Sequence, residues 1–171
     1  MTGGALCAGI GGAELAAEAL GFGQLSWYAE IDPAASQVMK ARWNGVPNLG
    51  DIKKALWERV EPVDCLTAGY PCQPFSAAGK RLGEADERHL WPWVFAAIRI
   101  LRPRVVLLEN VANHLSLGFG TVLRDLASAG FDAEWTTLRA SDVGACHKRD
   151  RLFVVAYPSS PGELAIPGVP R

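Results

Sequence analysis

A glycine-rich turn near the start of the chain limits the fold more than any other feature. The run Ala8-Gly9-Ile10-Gly11-Gly12 separates a short apolar stretch, Ala5–Cys7, from an alanine-rich segment, Ala13–Leu20. A strand that passes through such a turn into a helix typically opens a nucleotide-binding α/β domain, because glycine lets the backbone approach a ligand at the positive end of the helix. The same residues also suit a plain strand-to-helix turn, so the turn alone does not assign a ligand.

The rest of the chain alternates apolar runs with helical segments, which predicts a mostly parallel α/β sheet. Further strands are predicted at Ser26–Ile31, Val63–Ala68, Val105–Leu108, Trp135–Arg139 and Arg151–Tyr157. Helices are predicted from the Asp32-Pro33 start to about Trp43, over Glu87–Leu101 and over Thr121–Ala129. Residues 71–86 are predicted to form a long functional loop, and residues 158–171 an irregular tail.

Length, charge and cysteine content narrow the class of protein. The chain has 171 residues, which suits a single domain, and a chain of this size buries roughly 70% of its unfolded surface. Its net charge of −1 means that a nucleic acid would have to be held by a local basic patch. The four cysteines lack metal-binding spacing, and no signal peptide or membrane span is visible. We therefore expect no metal, no membrane partner and a reduced, cytoplasmic setting.

Glycine and polar residues follow several of the predicted strands directly. They are the glycine turn, Glu30, the loop that begins at Pro71, and the pair Glu109-Asn110. In a parallel sheet the carboxyl ends of the strands meet at one edge, and ligands bind in the crevice outside that edge. We therefore expect these residues to line a single cleft.

Two carboxylates in the first half of the chain are candidates for binding a nucleoside cofactor. Glu30 follows the turn by about 20 residues, where an acid accepts hydrogen bonds from ribose hydroxyls, although an isolated glutamate there is more often a solvated strand end. Asp51, in Gly50-Asp51-Ile52 after a short predicted third strand, suits the adenine amino group, although most Gly-Asp pairs are turns. NAD and S-adenosylmethionine share the ribose, but NAD is disfavoured because its motif needs a glycine where Glu14 stands.

Cys72 is the strongest candidate for covalent chemistry. In Pro71-Cys72-Gln73-Pro74 the prolines stiffen the backbone on both flanks of the cysteine, which holds the thiol in one direction. A nearby helix N-terminus or cation would raise its thiolate fraction and make it a nucleophile. The alternative is a buried structural cysteine, and we assign that role to Cys7, Cys65 and Cys146.

Glu109 is a candidate acid because it follows a buried strand. A poorly solvated carboxyl group at the mouth of such a strand suits a proton donor to a ring nitrogen. Pairing with Arg102 or Arg104 is the structural alternative.

The basic run at residues 147–151 precedes the last predicted strand. Strand alternation would place Arg149 and Arg151 on one side, where two guanidinium groups suit a carbonyl oxygen and a phosphate. The alternative is a solvated charged segment.

In their order and spacing, these motifs resemble the DNA cytosine-5 methyltransferase family from about Ala5 to Tyr157. The matching motifs are Ala8–Gly12, Glu30-Ile31-Asp32, Gly50-Asp51-Ile52, Pro71-Cys72-Gln73 with Phe75-Ser76, Glu109-Asn110-Val111 and His147–Arg151. Cys7 stands where a phenylalanine is usual, and His147 where a glutamine is usual. The resemblance implies a Rossmann-like, S-adenosylmethionine-dependent methyltransferase fold with an antiparallel last strand, and one catalytic and cofactor-binding domain over residues 1–157.

The resemblance also implies roles for individual residues. Cys72 would add to C6 of a cytosine flipped out of DNA, Glu109 would hold or protonate N3, and Arg151, with Arg149 beside it, would contact O2. The implied cofactor-binding residues are Ala8, Gly9, Ile10, Gly11, Gly12, Glu30, Ile31, Asp51, Ile52 and Pro71. The implied substrate-binding residues are Gln73, Ser76, Lys80, Arg81, Asn110 and His147, and Lys80, Arg81, Arg88 and His89 would close the nucleophile loop over phosphate.

Full-length family members carry a target-recognition domain and a final Gly-Asn motif, and neither appears in this chain. Three states follow: a minimal enzyme with little sequence preference, one half of a split enzyme whose second chain reads the DNA, or an inactive remnant. The same chemistry on RNA and a non-catalytic cofactor-binding subunit are alternatives. The joint presence of Cys72, Glu109 and Arg151 favours an enzyme over a scaffold, whereas an NAD-dependent oxidoreductase leaves the Cys72 loop unexplained. The resemblance implies a prokaryotic or phage-encoded enzyme of a restriction-modification system.

Overall fold

The computed structural model describes residues 1–71 and 90–159, and within them the chain forms one six-stranded sheet flanked by helices. The strands are β1 (Thr2–Leu6), β2 (Gln24–Ala29), β3 (Cys65–Ala68), β4 (Val105–Val111), β5 (Phe131–Arg139) and β6 (Asp150–Pro158). The α-helices are α1 (Gly12–Ala19), α2 (Pro33–Arg42), α3 (Trp91–Leu101) and α4 (Phe119–Ser128). Short 3-10 helices span Trp57–Arg59, Ala112–Ser116 and Ala140–Val143.

The strand order is β2-β1-β3-β4-β6-β5, and β1 to β4 run parallel to one another. Strand β6 is antiparallel to both β4 and β5, so the predicted mostly parallel sheet with an antiparallel last strand is confirmed. Leu6 lies opposite both Ala29 and Ala68, and Ala68 lies opposite Leu108. Strands β1, β2 and β3 therefore end at one level, and β4 continues past that level to Val111. The segments that follow these parallel strands leave the sheet at the same edge.

Local signals place the starts of the helices. The Asp32 side chain accepts a hydrogen bond of 2.7 Å from the backbone N–H of Ala35, and Pro33 occupies the first helical position, which confirms the predicted start of α2. Helix α4 begins earlier than predicted because Gly118 adopts a φ of 88° and turns the chain directly into Phe119. Residues 87–89 of the predicted third helix lie outside the described residues.

Several predicted boundaries are wrong, each because of backbone geometry or pairing. Strand β2 spans Gln24–Ala29 rather than Ser26–Ile31, and β5 begins at Phe131 rather than Trp135 because its pairing with β6 reaches Pro158. Strand β1 ends before Cys7, whose φ of 51° takes the chain out of the extended conformation. The third strand predicted before Asp51 is reduced to a single bridge between Tyr28 and Asn48. Pairing with β6 carries β4 through Val111, and pairing of Pro158 with Phe131 keeps that proline in β6 rather than in the tail.

The core of the described residues has one large cluster and two smaller ones. The large cluster packs α3 and α4 on the sheet, with Leu66, Val106, Leu126 and Leu152 almost fully buried. One smaller cluster joins α1 to β3 and β4, and the other joins α2 to β1 and β2. Together the clusters hold the sheet and leave its carboxyl edge available for a site.

No helix within residues 1–71 and 90–159 combines the length and apolar character needed to cross a membrane.

Candidate functional site

The glycine turn runs from the end of β1 into α1 at this edge. The N–H of Ala8 donates to the carbonyl of Ala29, and that of Gly11 donates to the carbonyl of Ala8. Gly9 has a φ of 54°, and neither Gly9 nor Gly12 has an atom within 4 Å of the position that a Cβ would take. A ligand therefore has room to approach the turn at these two glycines.

Gly11 is required for a different reason. Its φ is 84°, and a Cβ added there would lie 2.3 Å from the ring of Trp43 and 2.9 Å from the sulfur of Met39. The glycine is needed so that the second helix and its C-cap can pack beneath the turn.

Glu30 joins the glycine turn to the start of α2. Its Oε2 accepts a hydrogen bond of 2.7 Å from the N–H of Gly9, and its Oε1 accepts one of 2.8 Å from the N–H of Asp32. Each carboxylate oxygen has two acceptor positions, so one on each oxygen is still available for a ligand hydroxyl. The structure thus brings together two features that the sequence predicted to meet.

Asn48 supports this arrangement and was not among the predicted residues. Its Oδ1 accepts from the N–H groups of Glu30 (3.1 Å) and Gly50 (2.9 Å), and its Nδ2 donates to the Glu30 carbonyl (3.0 Å). The side chain therefore sets the backbone of Glu30 and of the turn into Asp51. The only sequence signal is an asparagine just before a Gly-Asp pair, which is common in ordinary turns.

The environment of Cys7 shows that Asp51 lies at the same edge. Burial, and then the negative charges of Glu30 and Asp51, raise the pKa of the Cys7 thiol to about 12. Asp51 also accepts a hydrogen bond of 2.9 Å from the N–H of Lys53, which closes its own turn.

The predicted isoleucine contacts divide into two kinds. Ile10 and Ile31 are 59% and 70% exposed, so both offer apolar surface beside the glycine turn and Glu30. Ile52 is buried in the main core, so its side chain does not reach the edge and only its backbone remains available there.

The stem of the predicted nucleophile loop is held by buried polar groups. Asn110 is 4% exposed, and its Nδ2 donates to the carbonyl of Tyr70 (3.0 Å) while its Oδ1 accepts from the N–H of Val111 (2.8 Å). The Tyr70 hydroxyl lies 3.1 Å from Nε2 of His114. Asn110 therefore supports the chain just before Pro71 rather than offering its side chain to a substrate as predicted. Tyr70 and His114 were not predicted, because their pairing depends on the fold.

Most of the predicted nucleophile loop lies outside the described residues. These positions are Cys72, Gln73, Ser76, Lys80, Arg81, Arg88 and His89. Pro71, at the end of the described stem, is half-buried.

Glu109 and Arg151 form an ion pair, with 2.8 Å between the Arg151 Nε and the Glu109 Oε1. Glu109 lies within β4 rather than after it, and Arg151 lies opposite Val111, so the two side chains are diagonal neighbours on one face. A Cβ built on Gly69 would lie 3.7 Å from the Glu109 Oε2 and 3.5 Å from the Cys7 carbonyl oxygen. The ends of β1, β3 and β4 therefore converge on one cleft, as predicted.

The basic run before β6 differs from the prediction. Arg149 has a φ of 39° and lies before β6, so strand alternation does not extend to it and does not place it beside Arg151. Both Arg149 and His147 are exposed, and Asp150 lies 3.5 Å from Nε of Arg139. The structure brings Arg151 to Glu109 but leaves Arg149 and His147 on the surface of the connecting turn.

Two of the described cysteines, Cys7 and Cys65, are not reactive candidates. Burial raises the pKa of the Cys65 thiol to about 12, as it does for Cys7, so both remain protonated near neutral pH. Cys146 is exposed, which contradicts the buried structural role expected for it. Within residues 1–71 and 90–159, no group of three or more histidine, cysteine or acidic side chains is placed to hold a metal ion.

Comparisons with known proteins give relatives that match most of the chain. The Type II methyltransferases M.NgoMIV of Neisseria gonorrhoeae and M.NaeI of Lentzea aerocolonigenes are 35% and 36% identical to the chain, each over 88% of its length. The matched part is 50% and 38% of those two proteins, so the chain spans half or less of the curated relatives it matches. A protein of Escherichia phage P1 named DNA N-6-adenine-methyltransferase is 39% identical over 72% of the chain and 19% of its own length.

Solved structures agree on the fold. Spodoptera frugiperda DNMT2 superposes with a TM-score of 0.73 at 23% identity, over 94% of this chain and 51% of that one. S. pombe Dnmt2 methyltransferase gives 0.75 at 20% identity, over 96% and 53%. The family model for C-5 cytosine-specific DNA methylase matches residues 1–164. The chain therefore belongs to the C-5 cytosine-specific DNA methylase family.

Proposed function

We propose that the chain transfers a methyl group from S-adenosylmethionine to C5 of a cytosine in DNA. The observation that supports this most directly is the Glu109–Arg151 pair, which lies at the same sheet edge as the Glu30–Gly9 hydrogen bond. In this proposal Glu109 is the acid for a ring nitrogen, and Glu30 with the glycine turn binds the nucleoside at the same edge of the sheet.

The residues at the edge fit the proposed cofactor. The free acceptor positions on Glu30 suit two ribose hydroxyls, and the open space at Gly9 lets the backbone lie against the ligand. Asp51 suits the adenine amino group, and Ile31 supplies an apolar surface for the adenine ring. When bound, S-adenosylmethionine supplies the methyl group that is transferred.

The proposed chemistry uses side chains of this chain on a flipped-out base. The Cys72 thiolate forms a bond to C6 while Glu109 holds or protonates N3, which makes C5 nucleophilic. After C5 takes up the methyl group, loss of its proton and cleavage of the Cys72–C6 bond restore the aromatic ring. Arg151 has two tasks, because its Nε orients Glu109 while its remaining N–H groups suit the base O2.

DNA contact is proposed for four basic residues. Arg149 and His147 are exposed on the turn before β6, and Lys80 and Arg81 follow the nucleophile. Because the net charge is −1, binding by such a local patch should weaken steeply with added salt. Target recognition by a second chain also belongs to the proposal.

The test is transfer of labelled methyl groups from S-adenosylmethionine to mixed duplex DNA and, separately, to RNA. We expect label at C5 of cytosine in DNA with the wild-type protein and with Cys146→Ala, which removes an exposed cysteine, but none with Cys72→Ala. All three proteins should bind S-adenosylmethionine alike.

Three results would contradict the proposal. Label that persists in Cys72→Ala would exclude the covalent route. Label at the adenine N6 would assign a different base, and label in RNA alone would assign a different substrate.

A further inference from the structure

A buried carboxyl group lies in the first turn of α1, directly after the glycine turn. Glu14 is 4% exposed, and its Oε1 is 2.5 Å from Oγ1 of Thr67 in β3. Its Oε2 is buried and has no hydrogen-bond partner within the described part of the chain. An ionised carboxylate left in this state carries a large desolvation penalty, because one oxygen has neither water nor a donor.

The single hydroxyl proton of Thr67 indicates whether the Glu14 carboxyl group is protonated or ionised. The Thr67 hydroxyl has one proton, but its oxygen lies 2.5 Å from Oε1 of Glu14 and 3.4 Å from the carbonyl oxygen of Gly4 in β1. If Glu14 keeps its proton, it donates to Thr67, and Thr67 donates to Gly4. Both contacts are then hydrogen bonds. If Glu14 is ionised, its carboxylate accepts the hydrogen bond from the Thr67 hydroxyl, and no proton is left for a hydrogen bond to the Gly4 carbonyl.

The surroundings of Glu14 also favour the neutral form. Burial raises the pKa of its carboxyl group, the negative charges of Glu18 and Glu30 raise it further, and the hydrogen bonds from Thr67 and from the Glu14 backbone N–H act in the opposite direction. The adjoining cavity, lined by Gly4, Glu14, Glu18, Cys65 and Thr67 among others, holds about 10 Å³. That is room for at most one water molecule, too little to solvate a charge.

We propose that Glu14 is a neutral acid and a positioning residue. Its hydrogen bonds through Thr67 to Gly4 fasten the start of α1, and with it the glycine turn, to strands β1 and β3. The chain continues from strand β3 to Tyr70, so the same link sets the glycine turn relative to the segment that ends at Pro71. The neutral state of Glu14 is independent of the proposed function, whereas the positioning role rests on it.

The neutral state is tested by unfolding in denaturant from pH 5 to 8, with wild-type protein, Glu14→Gln and Glu58→Gln. Because folding raises the pKa of Glu14, its stabilising contribution is complete below the unfolded value of about 4.3 and is lost as pH rises through the folded value. The unfolding constant of the wild type relative to Glu14→Gln should therefore grow by up to about tenfold per pH unit in that interval.

Glu58 is an exposed glutamate, so Glu58→Gln serves as the matched control and should follow the wild type. If the wild-type and Glu14→Gln curves stay parallel from pH 5 to 8, Glu14 is not held neutral and the inference is overturned.

The positioning role is tested by calorimetric titration of the folded proteins with S-adenosylmethionine. Glu14→Ala and Thr67→Val each break the hydrogen-bonded link and should raise the dissociation constant by about tenfold. Glu14→Gln and Thr67→Ser keep a donor and a hydroxyl at the same places, so they should bind within about threefold of the wild type.

Wild-type affinity in folded Glu14→Ala would overturn the positioning role. Failure of the wild-type protein itself to bind S-adenosylmethionine would overturn the proposed function and the positioning role with it. The pH titration of unfolding would still decide the state of Glu14.

Discussion

At the residue scale, side chains at the sheet edge combine structural and ligand-binding capacity. Glu30 uses one acceptor position of each oxygen for a backbone N–H and keeps the other available. In the glycine turn these two roles belong to separate residues. The position of a Cβ at Gly9 is open to a ligand, whereas the position of a Cβ at Gly11 is filled by the Trp43 ring. Neighbouring positions of one motif therefore respond differently to the same substitution.

Gly11→Ala is expected to destabilise the protein by about 2 kcal/mol or more. The new methyl group overlaps the Trp43 ring, and an alanine at a φ of 84° is strained. Denaturant unfolding measures the loss. Gly12→Ala is the matched control and should change stability by less than about 1 kcal/mol, because a Cβ there meets no atom within 4 Å. Equal effects of the two substitutions would contradict the packing role of Gly11.

Glu30→Ala is expected to weaken S-adenosylmethionine binding by at least about tenfold. The substitution removes the acceptors proposed for the ribose and leaves the Gly9 N–H without its partner. Calorimetric titration measures the change, and Glu58→Ala, at an exposed glutamate, should bind like the wild type. An unchanged dissociation constant would remove Glu30 from the cofactor site.

At the scale of elements, the junction between β2 and α2 depends on a short chain of hydrogen bonds. Asn48 holds the backbone of Glu30, Glu30 accepts from the Asp32 N–H, and Asp32 caps the helix at Ala35. These hydrogen bonds connect three parts of the fold, because Glu30 follows β2, Asp32 precedes α2 and Asn48 lies in the segment after α2. The position of Glu30 is therefore a property of the junction rather than of its strand alone.

Asp32→Ala is expected to lower the free energy of unfolding by about 1 kcal/mol through loss of the α2 cap. Asp32→Asn and Asp32→Ser retain a capping oxygen and should lose only a few tenths of that value. Thermal and denaturant unfolding compare the three variants. If Asp32→Asn is as unstable as Asp32→Ala, the charge of Asp32 rather than its cap is the stabilising feature.

At the scale of the whole molecule, the antiparallel strand β6 completes the site. It enters the sheet between β4 and β5 and brings Arg151 beside Glu109. The large core cluster beneath β6 holds this strand through Leu152, Val154 and Ala156, all almost fully buried. Integrity of the Glu109–Arg151 ion pair therefore depends on core packing at a distance from the sheet edge.

Leu126→Ala in α4 is expected to cost about 2–5 kcal/mol, because the side chain is fully buried in that cluster and leaves a cavity. Leu20→Ala removes a leucine that is 64% exposed and should change stability by less than about 1 kcal/mol. Denaturant unfolding measures both. A loss below about 1 kcal/mol for Leu126→Ala would show that the core relaxes around the missing side chain.

Features that rest on local chemistry could be predicted from the order of the amino acids alone. These features are the glycine turn, the Asp32-Pro33 helix start, the succession of most strands and helices along the chain, and the shared edge at which the parallel strands end. They could be predicted because turns, caps and apolar periodicity act over a few residues. Motif order also indicated the family. The nucleophile Cys72 stays a prediction that rests on its sequence motif.

Contacts between residues that are distant in the sequence became known only from the three-dimensional structure. The pairing of Arg151 with Glu109, the support of Tyr70 by Asn110, the bracket of Asn48 around Glu30 and the burial of Glu14 against Thr67 each join residues from separate elements. Arg149 was misplaced because its positive φ ends the alternation of β6 just before it. Such contacts depend on strand order, register and packing, which no local pattern of residues encodes.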